Sequence, residues 1–148
     1  PKLALMFAVK DGIDNADMWL SWMHHANYSG SGFSMHIHAY GNRNDFRPSE
    51  FLPFLVEEVV PTRWCELWNA QMLLMERALK DPEVTHLAML SQNSVPLKRP
   101  SAVLAELRRR PASRFCADFT TNFPRAETWW ILRREDAELL VAEQTFLR

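Results

Sequence analysis

His86-Leu-Ala-Met-Leu-Ser-Gln-Asn-Ser-Val-Pro-Leu97 decides how this chain is read. The apolar run Leu87–Leu90 has the length and character of a short buried strand. It passes directly into a polar turn, Ser91–Ser94. Val95-Pro96-Leu97 follows, and proline, which has no N–H to donate, stops further ladder pairing. In an α/β protein, a polar turn at the carboxyl end of a buried parallel strand is a place where ligands bind.

Working outward, Glu66–Lys80 carries the clearest helical period. Trp68, Met72, Met75 and Leu79 recur at helical spacing, and Leu67, Leu74 and Ala78 widen the stripe. Asp81-Pro82 closes it. On the other side, Ser101–Arg110 reads as a helix with Val103, Leu104 and Leu107 inward, Arg108–Arg110 at its negative end and Pro111 as its stop. Leu3–Val9 is a continuous apolar run ended by Lys10-Asp11-Gly12, which predicts a buried strand. Asp17–Ala26 places Met18, Trp19, Trp22 and Met23 on one helical face, with Asn15 or Asp17 as cap. After a turn at Ser29–Gly32, Phe33–His38 alternates with period two and predicts a second strand, parallel to the first.

Gly41–Pro48 reads as a polar loop and Val56–Val60 as a short strand. Arg114–Phe119 and Thr128–Leu132 read as two more strands, and Arg134–Gln144 as a last helix with Ala137, Leu140 and Val141 inward. This order predicts an α/β fold, a sheet with helices on both faces, in a single domain over residues 1–148.

Composition narrows the function. A net charge of −1 implies no strong field for nucleic acid or an anionic membrane. No run approaches the roughly 18–20 apolar residues of a membrane span. Two cysteines, Cys65 and Cys116, make no disulfide framework, and their pairing is open. Six Trp are many for this length; core packing is the ordinary use of Trp, and a sugar or partner surface the alternative. The chain opens on Pro1 rather than Met and is expected to be part of a longer or processed protein.

With only four glycines the chain has no Gly-rich phosphate loop, and no Asp-x-Asp pair to hold a divalent cation on a diphosphate. His36 and His38 share one strand face at a spacing that can hold a metal. No Cys, Asp or Glu accompanies them at ligand spacing, so no metal site is expected. A metal-free anion site needs cationic side chains, for which Lys10, Arg63, Lys98, Arg99 and Arg133 are candidates. Glu66, Asp118 and Glu127 are candidate general bases, although capping or solvation is the ordinary fate of each. Trp129 and Trp130, adjacent on one strand, must face opposite ways. One is expected in the core and the other at an acceptor or partner surface.

Four segments carry a family resemblance. His86–Leu97 resembles the leucine-leucine-serine-glutamate-x-cysteine-isoleucine-proline-leucine signature of the core-2/I-branching β-1,6-N-acetylglucosaminyltransferases and their plant relatives. Lys2-Leu-Ala-Leu-Met-Phe-Ala-Val9 resembles that family's first strand, and Phe33-Ser-Met-His-Ile-His38 its second. Glu66–Leu79 is similar to the helix before the signature strand. Thr128-Trp-Trp-Ile-Leu-Arg-Arg-Glu-Asp-Ala137 is similar to the family's glutamine-tryptophan-phenylalanine strand and following helix.

The resemblance implies a Rossmann-like, glycosyltransferase-A-like domain with a mostly parallel sheet. It implies an inverting, metal-independent transfer of a GlcNAc-type sugar from a UDP-sugar to an acceptor hydroxyl. Val9, Lys10, His38 and Tyr40 would frame the uridine, and Ser91, Gln92, Asn93 and Ser94 would lie beside the donor. Family members are usually Golgi proteins. Three departures stand out: Gln92 and Ser94 replace the signature glutamate and cysteine, the interval between Leu97 and Thr128 is short, and the family's catalytic glutamate and diphosphate-binding basic residues lie downstream of the last helix. Little catalysis is therefore expected of these residues alone. A non-catalytic subunit of a larger assembly is the alternative.

Overall fold

Strict period-two burial along the first strand organises the molecule. The computed structural model describes residues 1–26, 32–63, 66–118 and 125–146. In strand β1 (Leu3–Val9), Leu3, Leu5, Phe7 and Val9 enter one hydrophobic core while Ala4 and Met6 enter another. A strand buried on both faces must be apolar throughout, which is why its sequence reads as an unbroken run.

The described elements follow in the order α1 (Ala16–His25), β2 (Phe33–Ala39), α2 (Trp68–Leu79), β3 (His86–Ser91), α3 (Pro100–Arg109), β4 (Arg114–Asp118), β5 (Arg125–Arg133) and α4 (Arg134–Phe146). Two 3₁₀ turns, Arg43–Asp45 and Ser49–Phe54, lie between β2 and α2. The sheet order is β2-β1-β3-β5-β4. β1 pairs parallel with β2 and β3, whereas β5 runs antiparallel to both β3 and β4. The sheet is therefore open and mixed around a parallel core, compatible with a Rossmann-like fold.

One face is covered by α1, α3 and the second 3₁₀ turn. There Phe7, Trp19, Trp22 and Phe33 form a chain of edge-to-face rings with centroids 5.2, 5.7 and 4.7 Å apart. Each such pair contributes about 0.5–1.5 kcal/mol beyond its buried area. α2 and α4 cover the other face through Met72, Leu74, Met75, Ala78 and Ala137 against Ala4, Met6, Leu87 and Leu132. The Arg134 guanidinium donates to the carbonyls of Leu79, Asp81 and Val84 at 2.9, 2.9 and 3.1 Å, so the start of α4 caps the end of α2.

Several local expectations change. Met18 is about half exposed, because α1 turns Trp19, Trp22 and Met23 inward instead. Asn15 holds the cap position, but its side chain donates to the Asn93 carbonyl at 3.1 Å and leaves the helix end uncapped. Glu66 does not begin α2; it forms an isolated bridge with Arg63, and Trp68, the first helical residue, is exposed. Val56–Val60 is not a strand: Leu55 alone bridges to Ile37, and the chain then leaves the sheet edge. The expected turn at Ser29–Gly32 lies outside the described residues save Gly32, and so do Phe119 and Cys65. Cys116 stands in β4, its side chain outside the described set.

Candidate functional site

The order β2-β1-β3 reverses direction at β1. The chain goes from β1 to β2 on one side and returns to place β3 on the other. Loops leaving the carboxyl ends of β1 and β3 therefore diverge, and a crevice opens between them. The β1 loop starts at Lys10 and the β3 loop is the turn Ser91–Ser94. Gly41 seals one lip: its N–H donates to the Lys10 carbonyl at 2.7 Å, and a Cβ there would lie 2.6 Å from that oxygen.

A cleft of about 600 Å³ occupies this crevice. Ala8, Val9 and Lys10 line it from β1, Asp14 from the next loop, Tyr40 from beyond β2, and Ser91, Gln92 and Asn93 from the β3 turn. Thr62, Arg63 and Leu67 close it from the segment before α2, and Trp129 from β5. Tyr40 and Trp129, 47% and 42% exposed, offer aromatic faces at the rim.

Gln92 holds the floor together. Its Nε2 donates to Asp14 Oδ1 at 3.1 Å, its Oε1 accepts from the Lys10 N–H at 3.4 Å, and its carbonyl accepts from the Asp14 N–H at 2.9 Å. The turn is closed from within: Ser94 Oγ accepts from the Ser91 N–H at 3.0 Å, and the Ser91 hydroxyl donates to the Asn93 side-chain oxygen. Ser94 thus shapes the turn and does not line the cleft. Outside it, the Trp19 and Trp22 indoles donate to the carbonyls of Ser94 and Lys98 at 2.9 and 2.7 Å.

Lys10 and Arg63 are the cations of the cleft, and among the described residues neither has an acidic partner. The other cationic candidates lie elsewhere. Lys98 and Arg99 line a separate groove of about 830 Å³ between α1 and the start of α3. Although larger, that groove lies away from the strand-order reversal. Arg133 lies at the opposite end of the strands, because β5 is antiparallel and pairs Arg133 with His86 at the start of β3. There it ion-pairs with Asp136 at 3.3 Å, and this contact holds the Asp136 carboxyl below the usual carboxylate range.

His38 is also outside the cleft, fully buried beneath it on the α2 side of the sheet. Its Nε2 accepts from the Val60 N–H at 3.1 Å, and its Nδ1 finds no hydrogen-bond partner among the described residues. Among the described residues no group of three or more His, Cys, Asp or Glu is arranged to hold a metal ion. Trp129 and Trp130 do face opposite ways, Trp130 packing half-buried against the α2–α4 core.

Of the carboxylate candidates, Glu66 is exposed beside the lining residues Arg63 and Leu67. Asp118 ends β4, which runs parallel to β3 two strands away, and Glu127 lies in β5; the side chains of both are outside the described set. Asp14, Thr62 and Leu67 are lining residues that sequence reasoning missed. They stand in irregular segments, and only the path of the chain brings them to the cleft. The Thr62 hydroxyl oxygen is buried and has no hydrogen-bond partner among the described residues. No family model matches the chain, and no curated protein matches it. No helix among the described residues is long and apolar enough to cross a membrane.

Proposed function

We propose that the cleft binds the nucleotide diphosphate of a UDP-sugar, and that the chain is the donor-binding part of an inverting, metal-independent glycosyltransferase. The observation that carries this reading is the placement of two cations, Lys10 and Arg63, without an acidic partner among the described residues, in a cleft at the strand-order reversal. Anions are recognised by such charge-assisted donors. The resemblance of His86–Leu97 and three other segments to the core-2/I-branching transferases supports the choice of ligand. In this reading Lys10 and Arg63 neutralise the diphosphate, and Tyr40 offers a ring face to the base. The turn Ser91–Asn93 supplies hydrogen bonds, and Trp129 lies on the side of the sugar or acceptor.

Glu66 stands between the lining residues Arg63 and Leu67 and is the candidate base in this reading. General-base catalysis is worth about 10²–10⁴ in rate, so without a carboxylate aimed at an acceptor hydroxyl, binding rather than turnover is the property to test. Calorimetric titration with UDP and UDP-GlcNAc tests the reading. Saturable binding lost in Lys10→Ala/Arg63→Ala supports it; absence of binding at millimolar ligand refutes it.

A second reading, a non-catalytic subunit of a larger assembly, is favoured by one observation. β4 is an edge strand, and Phe115 on it is 60% exposed. An open edge with an exposed aromatic invites pairing with another chain. Sedimentation that finds a stable monomer, together with sugar transfer, rules it out.

A further inference from the structure

We propose that His38 is an acid-sensitive clip for the segment that walls the cleft, so that ligand binding weakens in mild acid. The ligand half of this inference rests on the reading of the cleft as a nucleotide-sugar site; the clip itself does not.

The segment Leu55–Arg63 runs without regular structure from the sheet edge to the cleft. Its beginning is well tied. The Val56 N–H donates to the Ile37 carbonyl at 2.9 Å, and the Arg43 guanidinium donates to the carbonyls of Val56 and Glu57 at 2.6 and 3.3 Å. Beyond Glu57, the tie to the sheet among the described residues is the Val60 N–H donating to His38 Nε2 at 3.1 Å. Thr62 and Arg63, two and three residues further on, form the cleft wall.

The clip works only with a neutral ring. An Nε2 that accepts a hydrogen bond carries no proton, so the proton sits on Nδ1. Protonation would place an N–H at Nε2 against the Val60 N–H, two donors face to face, and would put a charge in a fully buried position. Among the described residues no charged side chain compensates. Ala8 lies opposite on β1, and Lys10 beyond the end of that strand is exposed. On α2, Glu76 is exposed, and half-buried Arg77 is paired with Glu58 of the segment at 3.7 Å. Glu57 is exposed, and the influence of Asp81 falls on His36.

Burial accordingly lowers the His38 pKa below its ordinary value. A histidine neutral in the fold and protonated more readily outside it holds its contacts above its ordinary range. It releases them as pH falls through the lowered value.

Amide hydrogen exchange tests the clip without any ligand. Between about pH 7.5 and about pH 5, the protection factor of Val60 is expected to fall roughly tenfold relative to Val56, the scale of one hydrogen bond. In His38→Gln the Gln Oε1 replaces Nε2 as an acceptor that does not titrate, and Val60 should stay protected. The midpoint of Val60 deprotection should coincide with the ring-proton titration of His38 in the unaltered chain. Equal behaviour of Val60 and Val56, the same loss in His38→Gln, or separate midpoints each overturn the proposal. UDP affinity compared between the two chains at each pH cancels the titration of UDP itself, and should weaken in acid only with His38. An acid-sensitive Val60 in a chain that never binds UDP would leave the clip standing and overturn the nucleotide reading.

Discussion

Gln92 Nε2 donates to Asp14 Oδ1 at 3.1 Å while Gln92 Oε1 accepts from the Lys10 N–H at 3.4 Å. One neutral amide thereby joins the end of β1 to the loop before α1, as donor and acceptor at once. A carboxylate, as in the family signature this segment resembles, has no N–H for Asp14 and would set two negative charges against each other. Gln92→Glu is expected to destabilise the fold by about 1 kcal/mol at neutral pH. The loss should shrink when acid neutralises the pair. Urea unfolding at neutral and acid pH checks both parts.

Lys10 and Arg63, which meet the ligand under the proposed function, have no acidic partner to lose among the described residues. Alanine at either is expected to weaken UDP binding about tenfold, the worth of one charge-assisted contact, with unfolding unchanged. Arg133→Ala, at the opposite end of the strands, should leave affinity intact. An equal loss from all three would mean diffuse charge attraction and not a site.

The Trp22 indole N–H meets the Lys98 carbonyl at 2.7 Å, while its ring packs edge-on against Trp19 and Phe33. Trp22→Phe keeps an aromatic ring and deletes the donor. A destabilisation of about 1 kcal/mol is expected, with faster amide exchange in residues 95–99. Thermal unfolding and hydrogen exchange report the two effects separately.

Arg134 serves three carbonyls at the end of α2. Arg134→Met retains much of the aliphatic stem but strands those acceptors. It is expected to cost about 2–3 kcal/mol, measured as a shift in urea midpoint without a change in slope.

Lys2 Nζ lies 2.7 Å from Asp81 Oδ2, and this hydrogen bond lowers the Asp81 pKa and raises that of Lys2. A depressed carboxyl pKa contributes stability that is present above its unfolded value and lost as pH falls through the folded one. Asp81→Asn should therefore remove part of the acid limb of the stability profile, with an effect of at most about 1 kcal/mol for so accessible a pair. Equilibrium unfolding between neutral pH and the acid range follows it.

Strands β1, β2 and β3 and the helices between them were legible in the chain because each signal is local. Leu3–Val9 and Leu87–Leu90 are apolar without interruption because helices cover both of their faces, and α2 repeats its core residues every turn. The turn Ser91–Ser94 was equally readable, as polar residues between a buried run and a proline. Local pattern cannot tell which strand lies beside which. That β5 runs antiparallel, and so carries Arg133 away from the cleft and Trp129 toward it, was decided by pairing between residues far apart in sequence. The path of the irregular segment after Leu55 set Thr62 and Arg63 in the same cleft as Lys10, and packing under α2 turned His38 from an expected wall of the site into a buried support beneath it. A sequence states what each residue can do; where its charge or its hydrogen bond is used depends on which distant segment packing brings within reach.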